Sequence, residues 1–258
     1  VLSMRVRLFE PLGAYMASSY TLPLEALPEA IGYFDERRAE QDPRVSISIG
    51  LRPDSERPAT TVAGVRLAAF ADQGSDPAAE ARSLLALYAN GELARSATEK
   101  SEFIPQDVDK YMFTRDPSGS THTDNIYTDD ASSLLAALEV FSTRPEDLPV
   151  RLSLSHNQQY KLPHSDDISY SPLGRHFLSV YADWRDSSLD RVAYEWVDEF
   201  SAAVAPYRQG HYLNQIDTGV YPEKVRQSFS ATKWNRLTDI RRAYDPENRF
   251  FTWVGLET

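Results

Sequence analysis

The stretch Arg44-Val45-Ser46-Ile47-Ser48-Ile49-Gly50-Leu51 alternates apolar Val45, Ile47, Ile49 and Leu51 with small polar Ser46 and Ser48. A repeat of two is that of a strand with one face buried and the other wet. Downstream, Val62 to Phe70 is a plausible partner strand. Then Asp76-Pro77 supplies an N-cap and a first-turn proline for a helix carrying Ala81, Leu84, Leu85 and Tyr88. Upstream, Leu27, Ile31 and Phe34 share one face of a helix from Glu25 to about Arg38, whose other face is charged. Met16 to Thr21 reads as a further strand before it. This β-α-β-β-α order predicts an α+β fold, a large antiparallel sheet covered by helices on one face.

The remainder extends the same sheet. Arg151 to Ser155 and Phe177 to Trp184 read as strands, and a helix is expected from about Asp130 to Phe141. From Ser187 to Ala205, Leu189, Val192, Ala193, Trp196, Val197, Phe200 and Val204 form one helical stripe that Pro206 ends. Residues Asp116 to Asp130 are polar and rich in turn formers, and are expected to be a loop. Tyr212 to Ile216 is expected to be a short strand, and Thr232 to Tyr244 a final helix stopped by Asp245-Pro246. The alternation of Leu2, Met4, Val6 and Leu8 reads as a strand already under way, so the chain is expected to lack something upstream.

Composition narrows the function. In 258 residues, 27 Lys+Arg stand against 38 Asp+Glu, a formal net charge of −11 that repels nucleic-acid phosphates. The basic residues are scattered, so no nucleic-acid partner is expected. The absence of cysteine removes disulfides, thiolate metal sites and a thiol nucleophile from this chain. No apolar run approaches the roughly 18 residues of a membrane span, so no membrane partner is expected, and the compartment stays open. Dinucleotide and phosphate loops, a nucleophile elbow and a zinc-protease helix are all missing. The five histidines (His122, His156, His164, His176 and His211) make no close ligand pair on one expected element, so no metal site is expected.

The last fifty residues are more informative. His211-Tyr212-Leu213-Asn214-Gln215-Ile216-Asp217, then Trp234-Asn235-Arg236-Leu237, then Tyr244-Asp245-Pro246-Glu247-Asn248-Arg249-Phe250 come in order. Together they resemble the C-terminal signature of berberine-bridge-enzyme-like FAD-linked oxidases of the vanillyl-alcohol-oxidase type. There a Tyr-x-Asn strand precedes an aromatic-x-Arg-Leu helix and a Tyr-Asp-Pro-x-Asn-x-Phe ending. The strand ending in Trp184 and the helix after it are similar to the segment before that strand. Val1 to Pro11 is similar to the strand with which the family leaves its flavin domain.

The resemblance implies three parts: residues 1–14 leaving a flavin domain, 15–208 as the substrate-binding domain, and 209–258 returning to the flavin domain. It implies FAD as cofactor and, as partner, the N-terminal half or subunit that holds it. The implied activity is oxidation of an organic alcohol, sugar or secondary metabolite by hydride transfer to flavin, with this chain as the substrate-binding portion. A non-catalytic binding or scaffolding protein that keeps the fold is the alternative. The family turns alternate side chains of central strands toward the flavin, which implies Ser153, Ser155 and Phe177 as substrate contacts and Ser179 and Tyr181 as catalytic candidates. Tyr212 and Asn214 match flavin contacts, and Gln215 stands where many relatives carry a proton-abstracting tyrosine. Glutamine cannot act as that base. Tyr181, His156 or His176 would replace it if the strand registers differ slightly, since a slip of one residue exchanges the faces.

Overall fold

The computed structural model describes residues 13–37, 42–54, 60–87, 102–103, 119–156, 171 and 173–250. Strand β1 (Ala14–Leu22) leads through a 3-10 turn to helix α1 (Leu27–Arg37). The hairpin of β2 (Val45–Pro53) and β3 (Thr61–Ala71) follows, then α2 (Pro77–Ala86) and the two-residue β4 (Glu102–Phe103). The second half runs β5 (Ser120–Thr128), α3 (Ser133–Ser142), β6 (Val150–His156), β7 (His176–Trp184) and α4 (Asp190–Val204). Two more helices, α5 (Glu223–Gln227) and α6 (Ala231–Tyr244), complete it.

All the described strands lie in one sheet, ordered β4-β1-β3-β2-β6-β7-β5, and every neighbouring pair is antiparallel. The alternation in β2 does what its sequence dictates: Val45, Ile47, Ile49 and Leu51 are buried while Ser46, Ser48 and Gly50 face away from the core. Opposite them in register stand Ala69, Leu67, Val65 and Ala63 of β3, and Leu154 and Leu152 of β6 continue the apolar layer. Leu27 and Ile31 of α1, Leu84 of α2, Leu134 of α3, and Trp196 and Phe200 of α4 close this core from the same side. The other sheet face carries none of these helices.

Local signals set the helix ends. The Asp76 carboxylate accepts from Ala79 N at 2.9 Å with Pro77 in the first turn, and Ser230 caps α6 through Lys233 N. Pro206 turns the end of α4 into a 3-10 turn. Among the described residues no helix is long and apolar enough to cross a membrane.

Two expectations are corrected. Most of the expected loop from Asp116 to Asp130 is strand β5, paired with β7 over its whole length. Its sequence hides the alternation because the inward positions before Ile126 are His122 and Asp124, polar groups held in a buried network. The expected strand from Tyr212 to Ile216 is a 3-10 turn over Leu213–Gln215. An isolated bridge just before it joins Gly210 to Tyr127. There the chain passes so close to its surroundings that a Cβ on Gly210 would meet Gln227 O at 3.0 Å. The strand expected over Val1 to Phe9 lies outside the described residues, as does Asp116 to Ser118.

Candidate functional site

The helix-free face is built from the alternate residues of each strand. One register row crosses it as Asn125, Ser179, Ser153, Gly50, Gly64 and Thr21. The next contains Tyr127, Phe177, Ser155, Ser48, Arg66 and Ser19. On the other side of Ser179, Thr123, Tyr181 and Arg151 are in register. The strands therefore bring Ser153, Ser155, Phe177, Ser179 and Tyr181 onto one face with no slip of register. His176 is on the opposite face, 1% exposed, with Nε2 3.2 Å from Asp35 of α1, so it is not a base for this face.

A second element closes the row at its β5 end. The Asn125 side chain is fully buried, and its groups face the turn that begins at Tyr212. Its Oδ1 accepts from Tyr212 N at 2.7 Å, and its Nδ2 donates to Tyr212 O at 3.1 Å and Gln215 O at 2.8 Å. An amide side chain thus replaces the strand partner that Tyr212 was expected to have. The turn brings the Tyr212 ring to 6.0 Å from Phe177, edge to face, and Phe177 in turn packs on Tyr127 at 5.3 Å. Asn214 is exposed and donates to the Tyr212 hydroxyl at 3.1 Å. Gln215 is half-buried, and its Oε1 is enclosed without a hydrogen-bond partner. An enclosed acceptor lacking a donor is costly.

Asn125 is the residue that sequence reading passed over, because it lay in a segment read as loop. Its signal was the β-branched and aromatic content of Thr121, Thr123, Ile126, Tyr127 and Thr128, which favours a strand. At the row's other side, the Arg151 guanidinium lies 4.2 Å from the Tyr181 ring centre and pairs with Asp183 at 3.3 Å.

Behind β5, on the helix side, a buried polar cluster holds the C-terminal segment down. Asp124 accepts from Lys224 Nζ at 2.7 Å and from the Ser201 hydroxyl, and all but a few per cent of both charged residues is buried. His211 Nδ1 bonds Asn125 O, and its Nε2 is 3.2 Å from Gln227 Oε1. His122 stacks on Tyr194 with ring centres 4.1 Å apart and meets the Tyr221 hydroxyl at 3.1 Å, which donates to Asp198. Burial holds both imidazoles below their ordinary range, against the pull of Asp217 on His122 and Asp124 on His211. Burial, reinforced by Asp198, holds the Tyr221 phenol far above its ordinary range. Among the described residues no group of three or more His, Asp or Glu gathers to hold a metal ion.

This sheet, with its polar helix-free face and C-terminal turn, matches solved structures over nearly all of the chain. The flavoenzyme CrmK, involved in shunt product recycling in caerulomycin biosynthesis, superposes over 93% of this chain and 55% of its own with a TM-score of 0.69 at 11% identity. For 6-hydroxy-D-nicotine oxidase from Arthrobacter nicotinovorans the shares are 95% and 55%, at TM-score 0.67 and 17% identity. A single-residue variant of berberine bridge enzyme gives 94% and 55%, with TM-score 0.62 and 16% identity.

The fold is that of the berberine-bridge-enzyme-like oxidases.

At these identities the likeness is one of fold. No family model matches the sequence, and no curated protein matches it. The chain spans about half the length of the structures it resembles. Within this fold the expected α+β class, the antiparallel sheet and the covering of one face by helices all hold.

Proposed function

We propose that this chain is the substrate-binding portion of a FAD-dependent oxidoreductase that oxidises an organic alcohol, sugar or secondary metabolite. The observation that carries the reading is the row Asn125, Ser179, Ser153 on a helix-free face, with Tyr212 and Gln215 held beside it by Asn125. Residues 15–208 are then the substrate-binding domain, 1–14 leave the flavin-binding half and 209–258 return to it. The partner is that flavin-binding half, whether on the same polypeptide or a second one.

The residues present fit a flavin at this edge. Tyr212 offers a ring, Asn214 an exposed amide, and Gln215 an enclosed acceptor without a donor. FAD, when bound, supplies the acceptor for a hydride. The chain's own work is orientation and dehydration of the substrate. In this reading the Gln215 Oε1 accepts a hydrogen bond from the reacting hydroxyl, and the Ser179 and Ser153 hydroxyls fix its approach. Phe177 and Tyr212 exclude water from one side. Tyr181 is the catalytic candidate on its strand, sharing this face with Ser179 and Asp183, and the Arg151 guanidinium over its ring fixes its orientation.

The neutrality of Ser153, Ser155, Ser179 and Gln215 supports a second reading, a non-catalytic binding or scaffolding protein that keeps the fold. Anaerobic addition of candidate alcohols to the flavin-loaded complex separates the two. Bleaching of the flavin by any of them supports oxidation. A flavin that stays oxidised with a substrate demonstrably bound refutes it.

A further inference from the structure

The C-terminal segment meets β5 as a strand and then leaves it, and two side chains mark the point of departure. Gln209 N donates to Tyr127 O at 2.8 Å, and Tyr127 N donates to Gly210 O at 2.7 Å, so the two chains begin as an antiparallel ladder. Two residues further along each chain, the next rung would join Asn125 to Tyr212 through their backbones. Side-chain atoms make that rung instead. Asn125 Oδ1 accepts from Tyr212 N, and Asn125 Nδ2 donates to Tyr212 O, so the amide copies both bonds of a strand partner from the end of its side chain. This leaves the backbone carbonyl of Asn125 without Tyr212 N to serve it. His211 supplies the donor, because its Nδ1 bonds Asn125 O.

A carbonyl oxygen only accepts, so Nδ1 carries a proton. The other ring nitrogen, Nε2, is 3.2 Å from the side-chain amide of Gln227, which can present either its oxygen or its N–H. The imidazole is therefore held at both ends, and His211 is 1% exposed. Asp124 stands 3.9 Å from Nδ1, and Lys224 pairs with Asp124 behind it. One amide and one imidazole thus fix how far the chain stands from β5 at Tyr212. Without the imidazole, Asn125 O and Asn125 Oδ1 compete for Tyr212 N, and the chain can close onto β5 as an ordinary strand.

We infer that His211 is a positioning residue: its Nδ1–H takes the place of a backbone N–H at Asn125 O, keeps the chain one side chain's length off the sheet, and so sets where the turn from Tyr212 to Gln215 stands at the edge of the helix-free face. Its bearing on the reaction rests on the proposed function, in which that turn meets flavin and substrate. The imidazole itself touches neither and acts through Asn125.

The test compares His211→Asn with His211→Gln in the flavin-loaded complex. The Asn amide nitrogen falls where Nδ1 stands and reaches Asn125 O, whereas the Gln amide nitrogen falls where Nε2 stands and reaches Gln227. Both replacements are polar amides, so a role in filling space alone would treat them alike. The first readout is hydrogen exchange at the Gln215 amide, whose bond to Tyr212 O closes the turn at 3.1 Å, measured with and without flavin. The second is the visible absorption band of the bound FAD. His211→Gln is expected to speed exchange at Gln215 by about tenfold, the scale of one buried hydrogen bond, and to shift the flavin band. His211→Asn is expected to stay close to the unsubstituted protein in both.

Unchanged exchange at Gln215 in His211→Gln overturns the proposal. Equal acceleration in the two variants also overturns it, by making the imidazole a packing group, as do two variants that both fail to fold. Exchange in the expected order with a flavin band that stays fixed keeps the positioning role and refutes the placing of this turn against the flavin.

Discussion

Asn125 shows how one amide can stand in for a strand. Its three hydrogen bonds satisfy backbone groups of Tyr212 and Gln215 at the place where a sheet neighbour would otherwise serve them. Truncation to alanine leaves buried groups unsatisfied, at about 1–3 kcal/mol each, so Asn125→Ala is expected to lower unfolding stability by a few kcal/mol in a urea titration. Asn125→Asp keeps the acceptor for Tyr212 N but loses both donated bonds. It is expected to loosen the turn, visible as faster amide exchange at Gln215, whose own bond to Tyr212 O is part of that turn. Ser179 and Gln215 belong to a different class, because the account places them against ligand. Ser179→Ala and Gln215→Leu are expected to change turnover of the flavin-loaded complex by about tenfold or more, the scale of one lost hydrogen bond to the reacting group, while moving the melting temperature little. Unchanged kinetics in both variants would remove them from the site.

At the scale of elements, the C-terminal segment is tied to β5 by charge as well as by the amide. Lys224 and Asp124 are both buried, and removing one partner of such a pair leaves the other charge uncompensated. Lys224→Met is therefore expected to cost about 3–5 kcal/mol. The same cluster gives the fold a pH dependence. Burial holds His122 and His211 below their unfolded value of about 6.5, so between the two values the unfolded chain binds more protons than the folded one. Stability is full above about pH 6.5 and falls as the pH drops below it toward the folded values. Melting temperatures measured from neutral to mildly acid pH check this, and His122→Gln is expected to flatten the slope.

The same elements show what the sequence made legible. Strands with aliphatic inward positions, such as Val45 to Leu51, announced themselves because the hydrophobic effect writes a period of two. Strand β5 did not, because its inward His122 and Asp124 are polar and are held by partners about a hundred residues away, Tyr221 and Lys224. That Phe177, Ser179 and Tyr181 share a face followed from periodicity, whereas its reading as the substrate face came from the family resemblance. The holding of Tyr212 and Gln215 by Asn125 did not, since nothing local encodes a contact across 87 residues.

At the scale of the molecule, the sheet has one face built as a core and one left polar. The core face is sealed by four helices, whereas the other face gathers Ser153, Ser155, Arg66 and the buried Ser179 under none of those helices. In addition, Ile240, Tyr244 and Phe250 are all exposed on the C-terminal segment. Exposed apolar side chains of this kind fit a surface awaiting a partner, which in the proposed function is the flavin-binding half. The most direct test is to isolate this chain from its native source without denaturation and record the visible spectrum and a denaturing gel across a size-exclusion run. The account predicts flavin absorbance that co-elutes with this sequence and with a flavin-binding half on the same or a second polypeptide. A colourless chain eluting alone, and staying colourless when FAD is added, would contradict it.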